Sequence, residues 1–153
     1  MMQNRGVSFS LDPKSLNPLA PGRKPFHTLN PAMTLFDDGR VMPYGTMGGD
    51  GQPQTQAQIV TRLAFGMGLA EAIDAPRFAL GRTWGASSTL LALENRFDPS
   101  VVRALEKAGH EVFVRPEPYA DTFGHAGAII RHAKDGRLEA AHDPRADGGA
   151  LGL

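Results

Sequence analysis

Between a strand-forming run and a helix-forming run stand seven residues, Gly45-Thr46-Met47-Gly48-Gly49-Asp50-Gly51, of which four are glycine. Backbone with so few β-carbons takes positive φ freely and lets other groups approach closely. Upstream, Asp37-Asp38-Gly39 separates Ala32-Met33-Thr34-Leu35-Phe36 from Val41-Met42-Pro43-Tyr44, which predicts two antiparallel strands joined by a tight turn. Downstream, Ile59, Val60, Leu63, Ala64 and Met67 fall at helical spacing, with Pro53 in the first turn and Gly66 and Gly68 loosening the end. The glycines therefore join a strand to a helix N-terminus. Two readings stand open: a tight connection in which glycine only avoids steric cost, or a bend whose bare Gly48 and Gly49 amides, beside the positive end of a helix, stabilise a developing oxyanion. No Lys-Ser/Thr follows the glycines, so a phosphate loop is excluded.

A second short helix is expected over Leu69–Ala75, closed by Pro76, because the residue before proline is pushed out of helical geometry. Thr89-Leu90-Leu91-Ala92-Leu93 reads as a buried strand. Asp98 caps a helix with Pro99 at its first position; Val101, Val102, Leu105 and Ala108 form its expected buried stripe, and Gly109 ends it. Glu111–Val114 reads as a strand. His125–His132 and Leu138–His142, turned by Asp135-Gly136, form a second hairpin, and Asp143-Pro144-Arg145 and Gly148-Gly149 finish in loop. Two hairpins with helices between them predict an α+β fold, mainly antiparallel sheet covered by helices.

Residues 1–31 read as an extended arm, because Pro13, Pro18, Pro21, Pro25 and Pro31 forbid regular helix or central strand there; residues 32–153 carry the periodic elements. Sixteen basic residues balance sixteen acidic ones, which argues against a nucleic-acid or anionic membrane partner. No stretch approaches a membrane span or a signal peptide, so the chain reads as soluble, with no indication of cytoplasmic or periplasmic residence. The absence of cysteine excludes disulfides, thiolate zinc sites and thiol catalysis. The five histidines, His27, His110, His125, His132 and His142, lack metal-ligand spacing, so no metal and no cofactor is expected. A triad of Ser87, His125 and Asp143 can be drawn, but no Gly-x-Ser-x-Gly elbow supports it.

Four motifs then occur in order: Pro25-Phe26-His27-Thr28-Leu29-Asn30-Pro31-Ala32-Met33; Gly45-Thr46-Met47-Gly48-Gly49-Asp50-Gly51-Gln52-Pro53-Gln54; Glu71-Ala72-Ile73-Asp74-Ala75-Pro76-Arg77-Phe78; and Ala141-His142-Asp143-Pro144-Arg145. In order and spacing they resemble the gamma-glutamyltransferase family, over essentially the whole chain. The resemblance implies the C-terminal part of the small catalytic subunit and a piece of the four-layer αββα N-terminal-nucleophile hydrolase fold. In such enzymes a precursor cuts itself and exposes a threonine that attacks a glutamyl or other acyl amide.

The resemblance also implies roles for particular residues. Gly48 and Gly49 match the paired glycines of the family's oxyanion hole. His27 and Thr28 match a pair, commonly two serines, that contacts the substrate's α-carboxylate; Thr28 keeps the hydroxyl and His27 departs from the pattern. Gln3–Ser10 aligns with the segment that usually engages the α-amino group, and here Arg5 and Ser8 stand at those positions. Arginine repels an ammonium and pairs with a carboxylate, so the expected substrate is an amide whose acyl group lacks a free α-ammonium, with gamma-glutamyl amides as the family's own alternative. The family's nucleophile lies upstream of this segment, and Met1 is no substitute; the chain alone is expected to be inert, to require the missing N-terminal part of the enzyme, and to self-associate through surface that part would cover. The alternative from a different class is a free-standing, non-catalytic binding or assembly module with the same fold.

Overall fold

Each Asp-Gly turn closes a hairpin, with Gly39 and Gly136 at φ of +84° and +71°, a region other residues enter only at a cost. The computed structural model describes residues 4–81 and 88–152. Along the chain its strands are β1 (Ala32–Leu35), β2 (Val41–Thr46), β3 (Phe78–Leu80), β4 (Leu91–Glu94), β5 (Val112–Arg115), β6 (Ala126–Arg131) and β7 (Leu138–His142). Three α-helices accompany them: α1 (Gln52–Ala64), α2 (Leu69–Asp74) and α3 (Pro99–Lys107). The two hairpins join through β2 and β6 into one antiparallel sheet of order β1-β2-β6-β7. This is the α+β architecture that the periodicity predicts.

Helices α1 and α2 lie on one face of that sheet. Met42, Ala126, Ala128 and Ile130 point from the strands towards Ile59, Leu69, Ala72 and Ile73 of the helices, and all eight are buried. The alanines among them leave room for the helices to lie close to the sheet. On the opposite face, Met33, Leu35, Ile129 and Leu138 stand exposed, Leu35 at 72% and Leu138 at 65%. An antiparallel sheet can keep one face in water when that face is polar; this one is apolar on both.

Strands β3, β4 and β5 make a smaller sheet, in which β3 runs antiparallel to β4 and β5 runs parallel to it. The parallel pair follows from α3, which forms the connection between β4 and β5. Asp98 caps α3 by accepting from the Ser100 N–H at 2.7 Å. The buried stripe expected for α3 is absent: Val101 and Ala108 are exposed, Val102 and Leu105 only partly covered, and no α3 residue is buried. Three strands of three or four residues offer too little surface to bury a helix face.

The two sheets are tied together by a buried ionic cluster. Arg77 Nη1 lies 2.6 Å from Asp143 Oδ2, Arg145 Nη1 lies 3.0 Å from Asp143 Oδ1, and Arg145 grips both oxygens of Glu94 at 2.6 Å, with all four side chains fully buried. The same guanidinium groups cap the end of α2: the Ile73 carbonyl accepts from Arg77 at 2.9 Å and Arg145 at 3.2 Å, and the Ala75 carbonyl accepts from Arg145 at 3.1 Å. Cations suit a helix C-terminus, where carbonyls lack partners within the helix. Burial and the adjacent Arg145 push Arg77 down to about 10, so it remains charged at neutral pH. Burial acts to raise Asp143, but Arg77 and the N–H groups of Ala126 and Arg145 outweigh it and hold the carboxyl below its ordinary value.

Removing one partner strands a buried charge, which costs about 3–5 kcal/mol. Asp143→Asn is therefore expected to lower the unfolding free energy by about that amount in denaturant titrations; a loss under about 1 kcal/mol contradicts the account. A depressed carboxyl stabilises the fold fully above its unfolded value of about 4 and progressively less as pH falls through the lower folded value. The unmodified protein should thus lose stability below about pH 4, with a smaller acid-dependent loss in Asp143→Asn.

Candidate functional site

Among the described residues, the bend between β2 and α1 has the carbonyls of Met47 and Gly48 engaged and the amides of Gly48 and Gly49 undonated. Gly48 and Gly49 have φ of +134° and +54°, and neither belongs to a strand. Thr46 Oγ1 donates to the Met47 carbonyl at 2.8 Å, and the Gly48 carbonyl accepts from the Gly51 N–H at 2.9 Å. In a trans peptide the N–H points opposite to the carbonyl. Fixing the Met47 and Gly48 oxygens therefore aims the N–H groups of Gly48 and Gly49 away from those partners. Among the described residues, neither amide donates a hydrogen bond. A single 3₁₀ turn, Gly49–Gly51, then leads into α1.

Beside the bend lies a cleft of about 280 Å³ lined by His27, Thr28, Asn30, Gly49, Asp50 and Pro53, with Phe26 and Leu29 at its side. It brings together three residues singled out from the sequence, His27, Thr28 and Gly49. Gly48 sits just behind, buried, with the Gly124 Cα 3.9 Å from where a β-carbon would stand. His27 Nδ1 accepts from the Leu29 N–H at 3.3 Å, so the neutral ring carries its proton on Nε2. Arg5 and Ser8 lie in a separate 3₁₀ turn, Asn4–Ser8, where the Ser8 carbonyl accepts from Asn17 Nδ2 at 2.9 Å; neither lines this cleft. Gln3 and Ser87 fall outside the described residues.

A triad through Asp143 is closed off by saturation. Its oxygens accept from Arg77, Arg145, the Arg145 N–H and the Ala126 N–H, the last at 2.6 Å, which fills the capacity of a carboxylate. Among the described residues, no group of three His, Asp or Glu side chains could hold a metal ion, and no helix is long and apolar enough to cross a membrane.

Sequence periodicity did not expose what α1 does. Its buried side chains include Gln52, Thr55, Gln56 and Gln58 beside Ile59, whereas the expected Val60 and Leu63 are only half-buried and Ala64 is exposed. The run Gln52-Pro53-Gln54-Thr55-Gln56-Ala57-Gln58 places two pairs of glutamines at i, i+4, and such pairs share a helix face. Gln52 and Gln56 donate to the Thr28 and Asn30 carbonyls at 2.6 and 2.5 Å. Gln54 and Gln58 each exchange two hydrogen bonds with the backbone of Leu80 and Phe78, at 2.8 to 3.1 Å. Strand β3, which no local pattern announces, thus has β4 along one edge and glutamine amides along the other.

A family model described as Gamma-glutamyltranspeptidase matches residues 1–153. The chain is 56% identical over 151 residues to a protein named oxamate amidohydrolase proenzyme from Klebsiella pneumoniae, covering 98% of this chain and 28% of that protein. It is 44% identical to a glutathione hydrolase-like proenzyme, YwrD, from Bacillus subtilis, covering 100% of this chain and 29% of that protein. Among solved structures, cephalosporin acylase from Bacillus halodurans superposes with a TM-score of 0.75 at 31% identity, over 95% of this chain and 26% of that one. The chain thus spans less than a third of the length of each of these three proteins.

Gly124 locks the bend from behind. At φ of +87°, a β-carbon there would collide with Thr46 Oγ1 and come within 2.8 Å of the Met47 carbonyl. Gly124→Ala should cost more than about 2 kcal/mol and shift the amide resonances of Met47, Gly48 and Gly49. Unchanged melting and unchanged resonances would show that Gly124 does not set the geometry of the bend.

Proposed function

The chain belongs to the gamma-glutamyltranspeptidase family, and from that premise we propose that it supplies the oxyanion hole and part of the acyl pocket of an N-terminal-nucleophile amidohydrolase or acyltransferase. Its helices and sheet are part of that four-layer αββα fold. The observation that carries the reading is the bend: two peptide planes have their carbonyls engaged and their N–H groups undonated among the described residues, beside a cleft. Attack on an amide carbonyl places negative charge on its oxygen, and fixed N–H donors stabilise that charge at no cost of reorganisation. Each such donor contributes on the order of 3 kcal/mol to the barrier reduction.

The attacking threonine, on this reading, comes from sequence outside these 153 residues, so the chain alone hydrolyses nothing. The acyl group is held by His27 and Thr28. A neutral His27 offers Nε2–H, and Thr28 offers a hydroxyl; two donors beside the amides of the bend suit a carboxylate close to the reacting carbonyl. Arg5 and Ser8 border the same substrate in the complete molecule, where the guanidinium disfavours an α-ammonium. The similarity to a protein named for oxamate, a carboxylate-bearing amide without an ammonium group, supports this choice over a gamma-glutamyl substrate.

The complete enzyme is expected to hydrolyse oxalyl-, succinyl- or glutaryl-type half-amides in preference to gamma-glutamyl anilide, and Arg5→Gln to raise turnover of the glutamyl compound. Preference for the glutamyl compound, or indifference to Arg5→Gln, argues against the role given to Arg5. Amide hydrolysis by the 153 residues in isolation would refute an external nucleophile. On this reading the apolar face formed by Met33, Leu35, Ile129 and Leu138 is covered in the complete molecule by the layer that the rest of the enzyme packs against it. The isolated chain should therefore self-associate, and a clean monomer in sedimentation at high concentration would count against that cover.

A further inference from the structure

Gln52 opens α1 with only 4% of its surface exposed, and its carboxamide reaches two carbonyl oxygens at once. Nε2 donates to Thr28 at 2.6 Å and to Gly49 at 3.2 Å. Both partners are acceptors only, which fixes which end of the amide is nitrogen. The Gln52 backbone N–H donates to the same Gly49 oxygen. One buried side chain therefore joins the recognition wall of the cleft to the oxyanion bend. Along the chain those two places are separated by the whole β1–β2 hairpin. Gln56 repeats the grip one helical turn later on Asn30, so the segment carrying His27 and Thr28 is strapped to α1 at alternate residues.

We propose that Gln52 is a positioning residue that sets the spacing between the His27–Thr28 donors and the Gly48–Gly49 amides, and thereby the length of acyl group the enzyme accepts. This inference rests on the oxyanion-hole reading above. If a carboxylate is held at one end and the reacting carbonyl at the other, the distance between the two sets of donors works as a ruler. Only half-amides of matching length place their carbonyl on the bend. Misplacement by about 1 Å costs on the order of a hundredfold in rate, and one methylene in a pocket costs about ten- to two-hundredfold. The ruler is stiff because Gln52 is buried and holds both ends through one planar amide.

The test is a length profile. The complete enzyme is assayed with mono-amides of unbranched dicarboxylic acids of increasing length, and kcat and KM are measured for each. The unmodified enzyme should favour one length by at least about tenfold in kcat/KM over its neighbours. Gln52→Glu sets a carboxylate against two carbonyl oxygens, and Gln52→Met keeps the size without the donor. Gln52→Met, the less disruptive of the two, should flatten the profile to within about threefold, with the larger change in KM for the formerly preferred length. Gln54→Met, which breaks a comparable bond to Leu80 on the other side of α1, should keep the profile's shape. A merely structural Gln52 would lower every member of the series equally and leave the preferred length unchanged, which overturns the proposal. If the unmodified enzyme hydrolyses neither this series nor gamma-glutamyl anilide, the oxyanion-hole reading falls and the ruler with it; if it hydrolyses only gamma-glutamyl anilide, shows no length preference, or has a preference that Gln52→Met preserves, the ruler alone falls.

Discussion

Two short segments ending in Pro-Arg, Asp74-Ala75-Pro76-Arg77 and Asp143-Pro144-Arg145, meet inside the protein around Glu94, and much of the arrangement depends on that meeting. Burying an arginine is unfavourable unless its charge and its fork of donors are both answered. Here two guanidinium groups face two carboxylates, and further donors fall on the carbonyls that end α2 and on those of Phe123 and Gly124; among the described residues Arg77 Nε alone of these buried donors has no partner. Arg96 extends the cluster towards the surface, bonding Glu94 and Asp74 while lying 3.9 Å over the Tyr119 ring, whose hydroxyl donates to Asp74. Such a cluster adds less to stability than an apolar core of equal volume. What it does add is direction, because a fork of fixed donors is satisfied by one arrangement of its partners.

That direction reaches the candidate site. Arg77 Nη1 donates to the carbonyls of Phe123 and Gly124, at 3.2 and 3.0 Å, and Thr55 of α1 donates to the same Phe123 oxygen. Gly124 in turn packs against Thr46 and Met47 of the bend. A chain of contacts therefore runs from the buried charges, through the backbone at 123–124, to the peptide planes whose amides lie beside the cleft. On its other side the bend is held by α1, whose glutamines treat loop and strand backbone as a neighbouring strand would, taking carbonyls and, for β3, giving back an acceptor to each N–H. A helix can do this only where its side chains are long, flexible and uncharged, so that burial carries no ionic penalty.

Much of this was legible in the sequence where one local rule dominates. Asp-Gly turns placed both hairpins, Asp98-Pro99 began α3, and Pro76 ended α2, because each depends on a few adjacent residues. The glycine bend was legible for the same reason, as bare backbone before a helix. Long-range pairing was not. Strand β3 is three residues long and gains its partners from β4 and from glutamines 20 and 26 residues away. The ionic cluster joins residues 51 positions apart, and nothing local marks Glu94 as buried. The alternate glutamines of α1 were a readable signal, since their i, i+4 pairing defines two faces, but a search for apolar periodicity passes over them. For α3, apolar spacing overstated burial, because spacing reports what a face could cover and not whether a surface exists to cover it.

The interactions that shape the bend and those left open at the surface are different sets. The charge pairs of the cluster, the glutamine straps and the packing of Gly124 are all formed within the described residues, on the helix side of the four-stranded sheet. The unmet demand is on the other side, where Met33, Leu35, Ile129 and Leu138 face outward, and on α3, where Val102 and Leu105 are only partly covered. Covering an apolar sheet face stabilises in proportion to area and is indifferent to detail, whereas aiming two amides requires fixed hydrogen-bond geometry. A chain that spans 28% of a relative such as the oxamate amidohydrolase proenzyme therefore carries within itself the bonds that orient the bend. On the proposed reading, a larger molecule adds both cover for the apolar face and the attacking group.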